Sequence, residues 1–164
     1  MKLIRYAFAL AALMPAIGAA QGAAPAAQNP LATVLEKMQK NAIKISVKPE
    51  NDRWAANVTL WQTRLDHMGA LGAGEFKKVQ PVFDAMKANV AKIEEPMEKE
   101  RWEANVALWQ ITLDAKGVVP ASAEAKMKGA LEKMEANVGK IGAGAERERW
   151  DRNVELWKAL VAKK

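Results

Sequence analysis

The chain has 164 residues, no cysteine, a single histidine and a formal charge of +6. Without cysteine there is no disulfide framework, no thiol nucleophile and no thiolate metal ligand, and one histidine leaves a zinc site or a haem with paired axial ligands without basis. Its 25 basic and 19 acidic residues are interspersed, with no basic block, so nucleic acid is a poor partner for it.

Lys2 and Arg5 precede an apolar run, Tyr6 to Ile17, broken only by Pro15 and followed by Gly18-Ala19-Ala20. A short basic segment, an apolar stretch and small residues at the end are the parts of a secretory signal peptide, here residues 1–20 with cleavage after Ala20. A membrane anchor is the alternative, but the run is shorter than the ~20 residues a spanning helix needs. No cysteine follows the cleavage site to carry a lipid. Removing Lys2 and Arg5 leaves 23 basic against 19 acidic residues, a mature charge of +4. The remaining 144 residues are three times 48. No later segment is apolar enough to cross a membrane, so the expected location is the periplasm or the exterior.

Residues 21–29, QGAAPAAQN, read as a flexible leader. From residue 30 to 164 one pattern occurs three times. The segments Asp52–Gln62, Glu100–Gln110 and Glu148–Lys158 share the order Arg-Trp-x-x-Asn-Val-x-Leu-Trp, and they hold all six tryptophans. Trp54, Trp102 and Trp150 are 48 residues apart, as are Trp61, Trp109 and Trp157. Ahead of each motif lies a second amphipathic stretch. Leu31, Val34, Leu35, Met38, Ala42 and Ile45 form one apolar stripe; Val79, Val82, Phe83, Met86, Val90 and Ile93 repeat it; Met127, Leu131, Met134, Val138 and Ile141 repeat it again.

Turn signals separate the stretches. Asn29-Pro30 reads as an N-cap followed by a first-turn proline, and Pro49 and Pro96 restart the chain after a break. Ser122 is the expected N-cap of the third copy, and Pro81 is expected in a first turn or at a kink. Gly69, Gly117 and Gly142-Ala143-Gly144 are stops. The reading is all-α: three tandem 48-residue αα-hairpin repeats (residues about 30–69, 75–117 and 121–164), six helices of about 17–20 residues each, stacked as a short solenoid or a helical bundle, because one hairpin cannot bury its own apolar face. The last helix is more charged than its counterparts, which suggests a solvent-facing end of the stack.

The residues kept in all three copies are the candidates for function. The tryptophans share their stripe with Val58 and Leu65, which marks a core face, and the alternative is an aromatic strip for a ligand. Arg53, Arg101 and Arg149 are placed to stack on a neighbouring ring or to pair with a carboxylate. Asn57, Asn105 and Asn153 fall inside the apolar arc, where asparagine is a poor helix former, so they are expected in buried amide pairs that set register: Asn41 with Asn57, Asn89 with Asn105, Asn137 with Asn153. Glu36, Asp84 and Glu132 lie opposite the stripe and point to water, and Met38, Met86 and Met134 fill gaps in the core. If any residues bind a partner, they are Arg53, Arg101, Arg149, Asn57, Asn105, Asn153, Trp61, Trp109 and Trp157.

There is no Gly-x-Ser-x-Gly elbow and no phosphate loop. The period and motif also differ from those of tetratricopeptide, ankyrin and armadillo repeats. The expectation is a non-enzymatic binding or structural module of the cell envelope, without a cofactor, whose partner is an envelope protein or peptide. The rival is a carrier holding a small apolar ligand between the tryptophan-bearing helices. Mass spectrometry of the exported protein should find Gln21 at its N-terminus; retention of residues 1–20 would make the segment an anchor.

Overall fold

The computed structural model describes residues 29–68 and 70–162. The expected signal peptide, all of the leader but Asn29, and the expected stop at Gly69 lie outside the described residues. Within them the chain forms six α-helices and no strand: α1 (Pro30–Ala42), α2 (Lys48–Asp66), α3 (Ala73–Val90), α4 (Pro96–Asp114), α5 (Glu124–Val138) and α6 (Ala145–Ala162). None of them is long and apolar enough to cross a membrane.

The caps follow from local chemistry. Asn29 Oδ1 accepts from the Leu31 amide, with Pro30 opening α1 where a proline costs no hydrogen bond. Glu95 caps α4 by accepting from the amides of Glu98 and Met97, which hold its carboxyl below the usual range. Four expectations are corrected. α1 and α5 have 13 and 15 residues, shorter than expected, because the chain leaves the helix at Ala42 and Val138, before Ile45 and Ile141. Ser122 is not a cap: it lies in a 3-10 turn, Ala121–Ala123, and α5 starts at Glu124. Ala73 and Gly74 belong to α3, so Pro81 falls inside that helix, which removes the first turn from its two expected places. Pro81 and Lys77 are both exposed, so water can serve the Lys77 carbonyl that lacks an amide donor there.

Packing gives the helices two roles. α2, α4 and α6 meet one another through their tryptophans: Trp54, Trp102 and Trp150 are in mutual contact, and so are Trp61, Trp109 and Trp157. Early residues meet early residues and late meet late, so these three inner helices run parallel. α1, α3 and α5 run back outside them. Each outer helix lies against two inner ones: α1 against α6 and α2, α3 against α2 and α4, α5 against α4 and α6. The ring is therefore closed, and α6 is an inner helix flanked by α5 and α1. This corrects the solvent-facing reading of α6. Its additional charges are met along its surface, where Arg147 pairs with Asp151, Arg152 with Glu155 and Lys158 with Glu135.

The outer helices each give a stripe to the core. Leu35, Met38 and Ala42 on α1 are buried, as are Phe83, Met86 and Val90 on α3 and Leu131, Met134 and Val138 on α5. Glu36, Asp84 and Glu132 on the opposite side are exposed. All six tryptophans are at most 1% exposed. Truncating one leaves a void that its packed neighbours cannot close. Trp102→Ala should cost about 3–5 kcal/mol in denaturant unfolding, as large aromatic truncations in cores do; a loss below ~1 kcal/mol would mean the ring contributes little to the fold.

Candidate functional site

The recurring residues of α2, α4 and α6 form layers across the bundle axis. Each inner helix presents its residues at spacings of three and four, the positions that share one face. On α2 these are Glu50, Arg53-Trp54, Asn57, Trp61 and Arg64.

The first layer is a ring of ion pairs. Arg53 donates through Nη2 to Glu98 of α4 at 2.5 Å, Arg101 to Glu146 of α6 at 3.0 Å, and Arg149 to Glu50 of α2 at 2.8 Å. Each arginine is about 6–7% exposed, and its guanidinium carbon lies 5.6–5.9 Å from the ring of the tryptophan on the helix it reaches: Trp102, Trp150 and Trp54 respectively. The Nε atoms have no hydrogen-bond partner. Burying a guanidinium costs several kcal/mol, and a carboxylate together with an aromatic face offsets much of that. The glutamates were not among the expected site residues. Their signal was present, since Glu50, Glu98 and Glu146 each stand three residues before the arginine.

Next come two triangles of indoles separated by an amide layer. Centroids are 4.9–5.0 Å apart for Trp54, Trp102 and Trp150, and 4.5–4.8 Å apart for Trp61, Trp109 and Trp157, with planes inclined at 61–69°. Edge-to-face contacts bring the positive rim of one ring to the negative face of another, worth ~0.5–1.5 kcal/mol per pair beyond the area buried.

Between them, Asn57, Asn105 and Asn153 are fully buried and bond one another in a cycle. Asn57 Nδ2 donates to Asn153 Oδ1 at 2.9 Å, Asn153 Nδ2 to Asn105 Oδ1 at 3.0 Å, and Asn105 Nδ2 to Asn57 Oδ1 at 3.0 Å. Each carbonyl takes a second proton from an indole four residues beyond its amide donor. Trp61 Nε1 donates to Asn153, Trp109 to Asn57 and Trp157 to Asn105, at 2.8–2.9 Å. The Asn-to-Trp spacing of four is thus a two-pronged donor on one helix, aimed at one carbonyl on the next. These six bonds fill both acceptor sites of each of the three carbonyls, and the Asn153 amide also donates to Met134 Sδ of α5 at 3.6 Å.

The expected pairing of Asn41 with Asn57, Asn89 with Asn105 and Asn137 with Asn153 is overturned. The height argument took residue 49 as the pivot, but the turn between α1 and α2 is centred near Ile45. Asn41 therefore lies about two turns short of the level of Asn57, and its amide donates to Glu148 of α6. Asn137 donates to Glu100 of α4 in the same manner. Asp52, one methylene shorter, accepts from Lys48. Asn57 faces the axis, where its amide partners are Asn153 and Asn105 of the other inner helices.

Below the second indole triangle the like positions diverge to Arg64, Thr112 and Leu160. Arg64 is 6% exposed and donates to the His67 carbonyl, and burial pushes its pKa below the usual arginine value. The carbonyl ends of three parallel helices close this end, and their partial negative charge favours a cation.

The expected binding residues are thus brought together, with their side chains facing the axis. Arg53, Arg101 and Arg149 hold carboxylates, while Asn57, Asn105, Asn153, Trp61, Trp109 and Trp157 satisfy one another. Among the described residues no three His, Cys, Asp or Glu side chains form a group suited to a metal ion. Two pockets lie on the outside, and no tryptophan lines either. One, about 700 Å³, is a groove of small residues between α4 and α5 that includes Ala104, Ala107, Gly129 and Ala130. The other, about 670 Å³, lies beside α3. No family model, curated protein or solved structure matches the chain.

Replacing Asn105 with Ala removes three buried hydrogen bonds and orphans the Trp157 indole and Asn153 amide protons, at a cost on the order of 3–5 kcal/mol. In double-mutant cycles, Asn57 and Asn105 should couple by about 1–3 kcal/mol whereas Asn89 and Asn105 are additive. Equal coupling in both cycles would contradict the amide ring.

Proposed function

We propose that the chain is an exported, non-enzymatic protein of the cell envelope, built as three tandem 48-residue helical hairpins, that holds an envelope protein or peptide on one end of its bundle. Export rests on the features of residues 1–20. The tandem organisation rests on the sequence motif and on contacts that recur between positions 48 residues apart.

One observation carries the binding reading: the recurring polar side chains on the axis serve each other, and the chain varies at the exposed turns. The three outer-to-inner turns, residues 43–47, 91–95 and 139–144, lie together at the end where the inner helices begin. They share exposed Lys44, Lys92 and Lys140 and the isoleucine after each, Ile45, Ile93 and Ile141, but differ at the other positions, reading IKISV, AKIEE and GKIGAG. Ile43 is 71% and Val47 58% exposed, and Met97 is exposed on the same end. Apolar side chains flanked by charges of both signs on a rigid support suit a protein or peptide surface.

The fold isolates the test from stability. Val47 is the N-cap of α2 and gives no side-chain bond, so aspartate there supplies a cap in place of an exposed apolar group. The exported protein, immobilised in an envelope extract, should retain a partner that the Ile43→Asp/Val47→Asp variant releases, with both proteins equally folded by circular dichroism. If the variant retains the same partner, or the unaltered protein retains none, the reading fails.

A further inference from the structure

The pocket beside α3 is a feature that the 48-residue pattern does not supply. Shifted by 48 residues, α1 and α5 would begin at positions 78 and 76, but α3 begins at Ala73. Phe76 and Lys77 stand in the turn that α3 has beyond α1, and together with buried Leu71 and the exposed ring of Pro81 they wall the pocket. Forty-eight residues further on, the places of Phe76, Lys77 and Pro81 are held by Glu124, Ala125 and Gly129. An apolar wall with a cation is thus peculiar to this part of the chain.

The far lip is Lys116, in the connection after α4. The Leu71 amide donates to the Lys116 carbonyl at 2.7 Å, which pins the two connections together. Lys116 is the one non-glycine residue among the described ones with a positive φ, 49°. Glycine or asparagine is the usual occupant of such a helix-ending position, so a lysine is held here against its backbone preference.

The charges on the lining are of one sign. Lys77 and Lys116 line the pocket with Gln80, no acidic residue does so, and neither lysine forms an ion pair among the described residues. The volume of about 670 Å³ lies within the roughly 300–1,000 Å³ typical of small-molecule sites. Leu71, Phe76 and Pro81 offer apolar contact, and two unpaired ammonium groups at the rim offer charge to one anionic group. We infer that this pocket binds a small amphiphile, an apolar chain ending in a carboxylate. The pocket is at the opposite end of the bundle from the turns proposed to hold a partner, and the inference does not depend on that reading.

Decanoate is a suitable probe, added to the purified exported protein and followed by amide chemical shifts. It should give one saturable site, with the largest shifts at Leu71, Phe76 and Gln80. Lys77→Gln/Lys116→Gln should weaken binding about tenfold or more, and decan-1-ol should bind unaltered protein correspondingly less well. Both lysines are exposed, so the variant should unfold at the same temperature as the unaltered protein. Tryptophan emission should stay constant, because no indole lines the pocket. Binding by Ile43→Asp/Val47→Asp should equal that of the unaltered protein, which separates this site from the partner-holding end. No saturable shift up to about 1 mM decanoate would overturn the inference. So would equal affinity for the alcohol, equal affinity of the dilysine variant, or shifts centred on the tryptophans.

Discussion

Three amides that bond to each other and to three indoles determine how the inner helices can meet. An asparagine carbonyl in a dry core must accept a hydrogen bond, and leaving one unmade costs ~1–3 kcal/mol. Here each carbonyl takes two, both from one neighbouring helix, so the arrangement tolerates neither a missing helix nor a reversed one. Slipping a helix by one residue turns its face by about 100° and leaves amide and indole protons pointing away from their acceptors. Apolar packing alone would accept several such registers at little difference in energy. The amide layer separates them, as a single buried asparagine does in a coiled coil.

The remaining layers add stability around that selection. The indole triangles exclude water on both sides of the amides, which makes the amide bonds stronger and their loss more expensive. Arg53, Arg101 and Arg149 each reach forward to a carboxylate on the next helix, while the asparagines bond in the opposite sense. Any two inner helices are thereby joined in both directions. The outer helices close the grooves between them with aliphatic, phenylalanine and methionine side chains. Methionines 38, 86 and 134 suit that task because an unbranched thioether adapts to irregular space.

The helical class and the burial of the tryptophans were readable from periodicity, because spacings of three, four and seven assign residues to a face without reference to the rest of the chain. Pro49 and Pro96 marked helix starts for an equally local reason. What failed was what depends on partners. Asn57 was placed correctly on the buried face but matched to Asn41, because the turn is formed by residues 43–47 ahead of Pro49 and its centre is displaced. The charge on α6 suggested an exposed end, yet contact with α1 makes that helix internal. Periodicity states that a face is covered and is silent about which helix covers it. The pocket beside α3 was illegible for the same reason, since Leu71, Phe76 and Lys116 come from separate segments and only the closed ring brings them together.

The layer of Arg64, Thr112 and Leu160 shows what covalent continuity permits. Three separate, identical hairpins associating about a threefold axis would have to place like residues at each height, and three arginines at that height would crowd three positive charges into a space of low polarity. Joining the hairpins in one polypeptide removes this obligation. One helix can contribute a guanidinium, the next a hydroxyl bonded to its own backbone and the third an aliphatic group. Carrying the three inner helices on one polypeptide thus gives each height three independent choices, and a bundle whose middle demands sameness can be chemically different at its ends.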